Sequence, residues 1–197
     1  MKKVTAMNLP NKLTLSRILF ALLFVSIFLC DSLISNNYII ACIIFVIATL
    51  TDFLDGCIAR RKNKKLETVF GIVFDPIADR VLMASALVLF VYTNALHPAV
   101  AILLISRDIL MSGIRILLGY QKQLLISATC LGKMKMVSEV ILVLLLFANH
   151  FWCINDSILL TISITSIFSA LISLAQCILK HRNDIFHEIY TRNVEVK

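Results

Sequence analysis

The sequence contains Asp52-x-x-Asp55-Gly56-x-x-Ala59-Arg60, followed by Gly71-x-x-x-Asp75-x-x-x-Asp79. Four carboxylates therefore stand at the ends of long apolar runs. An acidic side chain within a membrane helix costs roughly 2.5–3.5 kcal/mol on insertion scales and marks a functional position by default. Four of them repel one another unless something positive lies between. An all-oxygen donor set of this kind suits a hard divalent cation such as Mg2+ or Mn2+. Residues three and four apart share a helix face. Asp52 and Asp55 are such a pair, and Gly71, Asp75 and Asp79 form one stripe. Two helices packed side by side would turn these carboxylates toward each other, with Gly56 and Ala59 leaving room for a ligand or a backbone. Two ions held by shared carboxylates can clamp an in-line displacement at phosphorus. No His lies within the motif, and its Cys57 reads, like the other cysteines, as a small buried hydrophobe, so the attacking group is expected to be a substrate hydroxyl. Asp79, one turn beyond Asp75, is best placed to take its proton; a purely ligating role fits the spacing nearly as well.

A second set is basic. Arg107 lies in the middle of an apolar run, followed by Asp108, with Arg115 two turns on; Lys133 and Lys135 open the next run within Gly132-Lys133-x-Lys135. A buried arginine needs an anion. That anion is either a substrate phosphate or a structural partner: Asp108, Glu139 or one of the motif aspartates. Lys133 and Lys135 are either part of the same anion site or a positive flank of a membrane span. Arg61, Lys62, Lys64 and Lys65 read as a solvated loop at an anionic leaflet.

These residues must be positioned by membrane helices. Hydrophobic residues make up 59% of 197 and charged residues only 16%, with mean hydropathy +0.91; soluble domains run at about 45–50% and about 25%. Spans need about 20 apolar residues. Six are expected, near 13–30, 37–58, 70–92, 97–118, 132–149 and 156–179, in a single all-α domain covering 1–197. Lys and Arg alternate between the connections. They are present at the N-terminus, in 60–65, around 122–135 and in the tail. They are absent from 31–36, 93–98 and 149–156. The positive-inside rule then places both termini and all four aspartates on the cytoplasmic side. Net charge +7 follows from this topology, and no aromatics are interleaved with the basic residues, so nucleic acid is not expected as a partner. Six cysteines without a Cys-x-x-Cys pair read as small buried hydrophobes. No two of the four histidines have ligand spacing.

The Asp52–Asp79 constellation resembles the signature of the CDP-alcohol phosphatidyltransferases: two Asp, Gly, Ala-Arg, then Gly and two more Asp. The likeness extends to Asn8-Leu9-Pro10-Asn11-Lys12-Leu13-Thr14-x-x-Arg17, Arg107-Asp108-Ile109, Ser112-Gly113-Ile114-Arg115 and Gly132-Lys133-Met134-Lys135. These look like bacterial members whose acceptor is glycerol 3-phosphate. The resemblance implies a six-helix enzyme of the bacterial inner membrane, usually a homodimer. It would displace CMP from CDP-diacylglycerol with an alcohol. Asp52, Asp55, Asp75 and Asp79 would hold two Mg2+ or Mn2+ ions, with Asp79 also the base. Gly56, Ala59, Arg60, Gly71 and Thr14 would shape the nucleotide pocket, with Arg17 at its border. Arg107, Arg115, Lys133 and Lys135 would hold the acceptor phosphate.

Other readings stay open at this level. A cardiolipin synthase would take phosphatidylglycerol as acceptor, and relatives of the same fold use serine or inositol; the basic set disfavours these last two. A cation-dependent transporter is the alternative of another class. It is disfavoured because the acids cluster at one membrane face.

Overall fold

Gaps in hydropathy divide the chain, and the helices fall between them. The computed structural model describes residues 9–30, 36–59, 69–122 and 130–195. Within these, the side chains of 9–15, 52–59, 69–76, 78–79, 115–122, 130–131, 133, 181 and 183–195 lie outside the description. The described residues form six α-helices and no strand: α1 (Leu9–Leu29), α2 (Asn37–Ala59), α3 (Val69–Tyr92), α4 (Pro98–Lys122), α5 (Cys130–Trp152) and α6 (Asp156–Glu195). Among them, Met134–Trp152 and Asp156–Lys180 are long and apolar enough to cross a membrane, and Ser16–Leu29, Asn37–Thr51 and Arg80–Tyr92 are shorter apolar stretches. Leucines and isoleucines such as Leu22, Ile43, Ile102 and Leu160 lie exposed along the helices. This is the pattern of an all-helical membrane protein, whose outer surface meets hydrocarbon rather than water.

Helix ends follow local chemistry. Pro10 and Pro98 sit in the first turns of α1 and α4, where a missing N–H costs nothing. At the end of α3, Asn94 takes the left-handed conformation (φ 57°). The Asn94 and Ala95 amides then donate back to the Val91 and Phe90 carbonyls at 3.0 and 2.9 Å, a Schellman closure. Asn155 caps α6, its Oδ1 accepting from the Ser157 amide at 3.0 Å. Helix α3 runs unbroken through Pro76, although proline removes the bond to the Ile72 carbonyl.

Helix α6 runs well past the expected end of its span, to Glu195. Its 40 residues amount to about 60 Å, twice a hydrocarbon core. Residues 180–195 contain neither Gly nor Pro, so nothing in the chain stops the helix where the apolar run stops. Similarly, α5 extends to Trp152, placing His150 in its last turn rather than in a connection.

The helices form two compact units, 1–97 and 98–197. In the first, α1 packs against both α2 and α3. Phe24 meets Phe45 at 6.0 Å between ring centroids, and Phe28 meets Tyr38 at 4.9 Å and Phe90 at 5.6 Å. Ala21, Ala41, Ala48 and Ala86 are buried between them. The buried Asn37 side chain donates to the Phe28 carbonyl at 3.1 Å, tying the start of α2 to an open carbonyl at the end of α1. In the second unit, α6 packs against both α4 and α5. Ser163, Ser166, Ala170, Ser173 and Cys177 form one buried stripe of small residues along α6. Small side chains at helical spacing let neighbouring backbones approach, the usual basis of helix association in lipid.

Candidate functional site

The first unit brings most of the sequence-identified acidic and nucleotide residues to one end. Phe28, Tyr38 and Phe90 join the end of α1, the start of α2 and the end of α3. The opposite end of the unit therefore carries the start of α1, the end of α2 and the start of α3. Thr14 and Arg17 lie in the first turns of α1; Asp52, Asp55, Gly56 and Ala59 lie in the last turns of α2; Gly71, Asp75 and Asp79 lie in the first turns of α3. Asp52 and Asp75 each stand about 10 Å of helix rise from the terminus that borders the 60–68 connection. Asp52 and Asp75 are thus level in depth, with Asp55 nearer the connection and Asp79 one turn deeper. Arg17 is half-buried. Arg60, and the side chains of Thr14, Gly56, Ala59, Gly71 and the four aspartates, lie outside the described residues. The four motif aspartates offer carboxylate oxygens, a donor set that fits Mg2+ or Mn2+.

The second unit holds a buried ionic network. Arg107 is 4% exposed and Lys135 only 1%. The Arg107 guanidinium donates through Nε to the Ala170 carbonyl at 3.2 Å. One terminal nitrogen donates to Asp108 Oδ1 at 2.9 Å, and the other to Ser173 Oγ at 2.6 Å. Lys135 Nζ donates to the same Asp108 oxygen at 2.6 Å and also pairs with Glu139, one turn along α5. A single carboxylate oxygen on α4 therefore bridges a cation of its own helix and a cation of α5, while Arg107 crosses to α6.

Of the two readings open for Arg107, a structural partner is present: it is Asp108. The ion pair described for Glu139 is with Lys135 rather than Arg107, one of the pairings left open by the sequence, because the i, i+4 spacing brings Lys135 within reach on the same helix. Two cations and two anions make the set formally neutral. Isolated buried charges would each cost several kcal/mol, and mutual pairing offsets that cost. Donors nevertheless remain. Guanidinium carries five N–H groups and ammonium three, so Arg107 keeps two and Lys135 one beyond the bonds described. Arg115 stands two turns further along α4 and Lys133 two residues before Lys135, both toward the 123–129 connection. Their side chains lie outside the described residues.

Sequence reading missed the hydroxyls. Ser138 Oγ and Ser169 Oγ are 3.1 Å apart across α5 and α6, Ser166 Oγ donates to the Ser138 carbonyl at 3.3 Å, and Ser173 receives Arg107. The signal available was the small-residue stripe 163, 166, 170, 173, 177 within an otherwise leucine- and isoleucine-rich span.

Three findings from comparison bear on this arrangement. The sequence profile of the CDP-alcohol phosphatidyltransferases matches residues 7–177. A Bacillus subtilis protein named CDP-diacylglycerol–glycerol-3-phosphate 3-phosphatidyltransferase is 34% identical over 153 residues, covering 73% of this chain and 78% of the relative. Proteins of the same name from Escherichia coli K12 and Rickettsia typhi are 33% and 35% identical. The E. coli match spans 74% of this chain and 80% of the relative; the R. typhi match spans 58% and 62%.

Proposed function

The chain belongs to the CDP-alcohol phosphatidyltransferase family, and from that premise we propose that it transfers the phosphatidyl group of CDP-diacylglycerol to glycerol 3-phosphate, releasing CMP. The observation that carries this reading is that the last turns of α2, which bear Asp52 and Asp55, and the first turns of α3, which bear Asp75 and Asp79, belong to one end of the first unit. The named relatives and the basic residues of the second unit support the choice of acceptor.

In this reading Asp52, Asp55, Asp75 and Asp79 hold two divalent ions, Mg2+ or Mn2+. When bound, the ions neutralise the diphosphate and so ease departure of CMP. Asp79 takes the proton from the glycerol 3-phosphate hydroxyl. The freed oxygen bonds to the phosphorus that carries diacylglycerol, the bond from that phosphorus to the bridging oxygen breaks, and CMP leaves with the bridging oxygen. Gly56, Ala59, Arg60, Gly71, Thr14 and Arg17 line the nucleotide side. Arg107, Arg115, Lys133 and Lys135 serve the acceptor phosphate. Arg107 and Lys135 do so with the donors their carboxylate partners leave over. The pairing with Asp108 and Glu139 then has a use: it keeps two buried cations charged and oriented before the anion arrives. The Lys/Arg distribution supports both termini and the acidic end facing the cytoplasm, and a single 1–197 domain in the inner membrane of a bacterium is the setting this reading expects. A homodimer is the expected assembly.

The test is CMP release from CDP-diacylglycerol by purified protein with a panel of acceptors. Glycerol 3-phosphate should support turnover, while serine, inositol and free glycerol should not. EDTA should abolish release, and Mg2+ or Mn2+ should restore it. Preference for phosphatidylglycerol would make the protein a cardiolipin synthase instead. Full activity after metal stripping would end the two-ion reading.

A further inference from the structure

A hydroxyl buried in a membrane helix has one partner always within reach, the carbonyl three or four residues back. Many of the described hydroxyls use it. Ser26, Thr49, Thr51, Ser85, Thr161 and Ser163 donate to the i−4 carbonyl at 2.7–2.9 Å. Thr93, Ser138, Thr165 and Ser169 donate to the i−3 carbonyl. Ser112 breaks the pattern. It is 7% exposed, yet its Oγ has no hydrogen-bond partner among the described residues. A buried hydroxyl left unmade costs about 1–3 kcal/mol. Alanine at this position would avoid that cost, so the hydroxyl calls for a partner from outside the described groups.

Its position suggests which. Asp108, Ser112 and Arg115 stand at i, i+4 and i+7, on one face of α4. Asp108 is the residue whose Oδ1 holds Lys135 Nζ at 2.6 Å. Ser112 therefore lies one turn from the carboxylate that holds a buried ammonium and one turn from a second basic residue of α4. A cation as the missing partner is disfavoured by Arg107 and Lys135. An anionic oxygen is favoured, because a hydroxyl donor next to cationic donors completes an anion site.

We propose that Ser112 is an acceptor-binding residue, donating its hydroxyl to a phosphate oxygen of glycerol 3-phosphate between Lys135 and Arg115. This rests on the acceptor reading above. Rotation about χ1 brings the oxygen to the ligand, and the hydroxyl is satisfied only when the acceptor is bound. Loss of the hydroxyl therefore has opposite consequences for binding and for stability.

The experiment measures CMP release against glycerol 3-phosphate concentration, and the thermal midpoint, for the full-length wild type, Ser112→Ala and Ser112→Thr in detergent–lipid micelles. Ser112→Ala should raise KM for glycerol 3-phosphate by roughly 10- to 100-fold, the range for a hydrogen bond to a charged group. It should leave kcat and the KM for CDP-diacylglycerol within about twofold, as expected for a contact equal in ground and transition states. Its thermal midpoint should equal or exceed that of the wild type. Ser112→Thr, which keeps the hydroxyl, should stay near wild-type KM. An alanine variant with unchanged acceptor KM, in a wild-type background that uses glycerol 3-phosphate, overturns this proposal alone. A lowered midpoint with both KM values raised marks a packing role and overturns it too. A wild type that releases CMP only with acceptors lacking phosphate overturns the acceptor reading and this inference together.

Discussion

The two units solve the same problem, three helices in lipid, with opposite interiors. Unit 1–97 is centred on phenylalanines: Phe24, Phe28, Phe45 and Phe90 fill the space around α1, and the motif acids stand near the helix ends. Unit 98–197 is centred on small and polar groups. Its middle helix, α6, presents serines and an alanine, and Arg107, Asp108, Lys135 and Glu139 are buried among them. Aromatic packing in the first unit needs no partners and tolerates no charge. A serine stripe in the second brings backbones close enough for Arg107 to reach a main-chain carbonyl of α6. Acids in this chain therefore do two jobs. In the first unit the motif aspartates stand near helix ends, where the proposed function puts ions and substrate. In the second, Asp108 and Glu139 hold buried cations.

That division is open to experiment. The largest effect is expected from Asp79→Asn, which should lower kcat by roughly 10²- to 10⁴-fold, the scale of lost general-base catalysis, with little change in thermal midpoint. If Asp79→Asn instead lost metal and nucleotide binding altogether, Asp79 would be a ligand rather than a dedicated base.

Asp108→Asn should show the reverse emphasis. Removing one partner of a buried pair costs about 3–5 kcal/mol, and here one oxygen serves two cations, so the thermal midpoint should fall sharply. A variant as stable as the wild type would erase the contrast between the units.

Smaller effects probe the interior of the second unit. Ser173→Ala removes the hydroxyl that accepts from Arg107 at 2.6 Å. It should destabilise by about 1.5–3 kcal/mol, the range for hydrogen bonds to charged groups, as read by denaturation in mixed micelles. A double-mutant cycle over Ser138→Ala and Ser169→Ala should give a coupling of about 0.6 kcal/mol, typical of hydroxyl pairs between membrane helices. A coupling several times larger would make the serine stripe, rather than the ion network, the principal tie between α5 and α6.

The smallest change is expected at Gly113. A Cβ built there meets nothing within 4 Å, so Gly113→Ala should be neutral or stabilising by up to about 1 kcal/mol, from helix propensity alone. Strong loss of activity would mean that a ligand or a second copy of the chain fills that space.

Much of this was written in the residues themselves. Hydropathy located all six helices, because a bilayer requires continuous apolar segments of fixed minimum length and forbids open backbone between them. The aspartate pairs were legible because spacings of three and four have one meaning on a helix. Carboxylates near the ends of such runs also cost free energy unless a cation meets them. Hydropathy did not locate the end of α6, since leaving the membrane ends the need for apolar side chains without ending helicity. Nor could spacing choose among the partners of Arg107 and Glu139. Asp108, Glu139 and Lys135 lie on two helices whose rotation about their own axes is set by packing against α6. Only that packing turned Asp108 toward Lys135 of the neighbouring helix and Arg107 toward α6. The same packing left Ser112 without a partner among the described residues, and no one-dimensional pattern distinguishes that hydroxyl from the others that fold back on their own helices. Local sequence determined where helices run and which chemistry they carry. Tertiary contact decided which charges meet, because the energy of a buried pair depends on distances of a few ångströms between segments far apart in the chain.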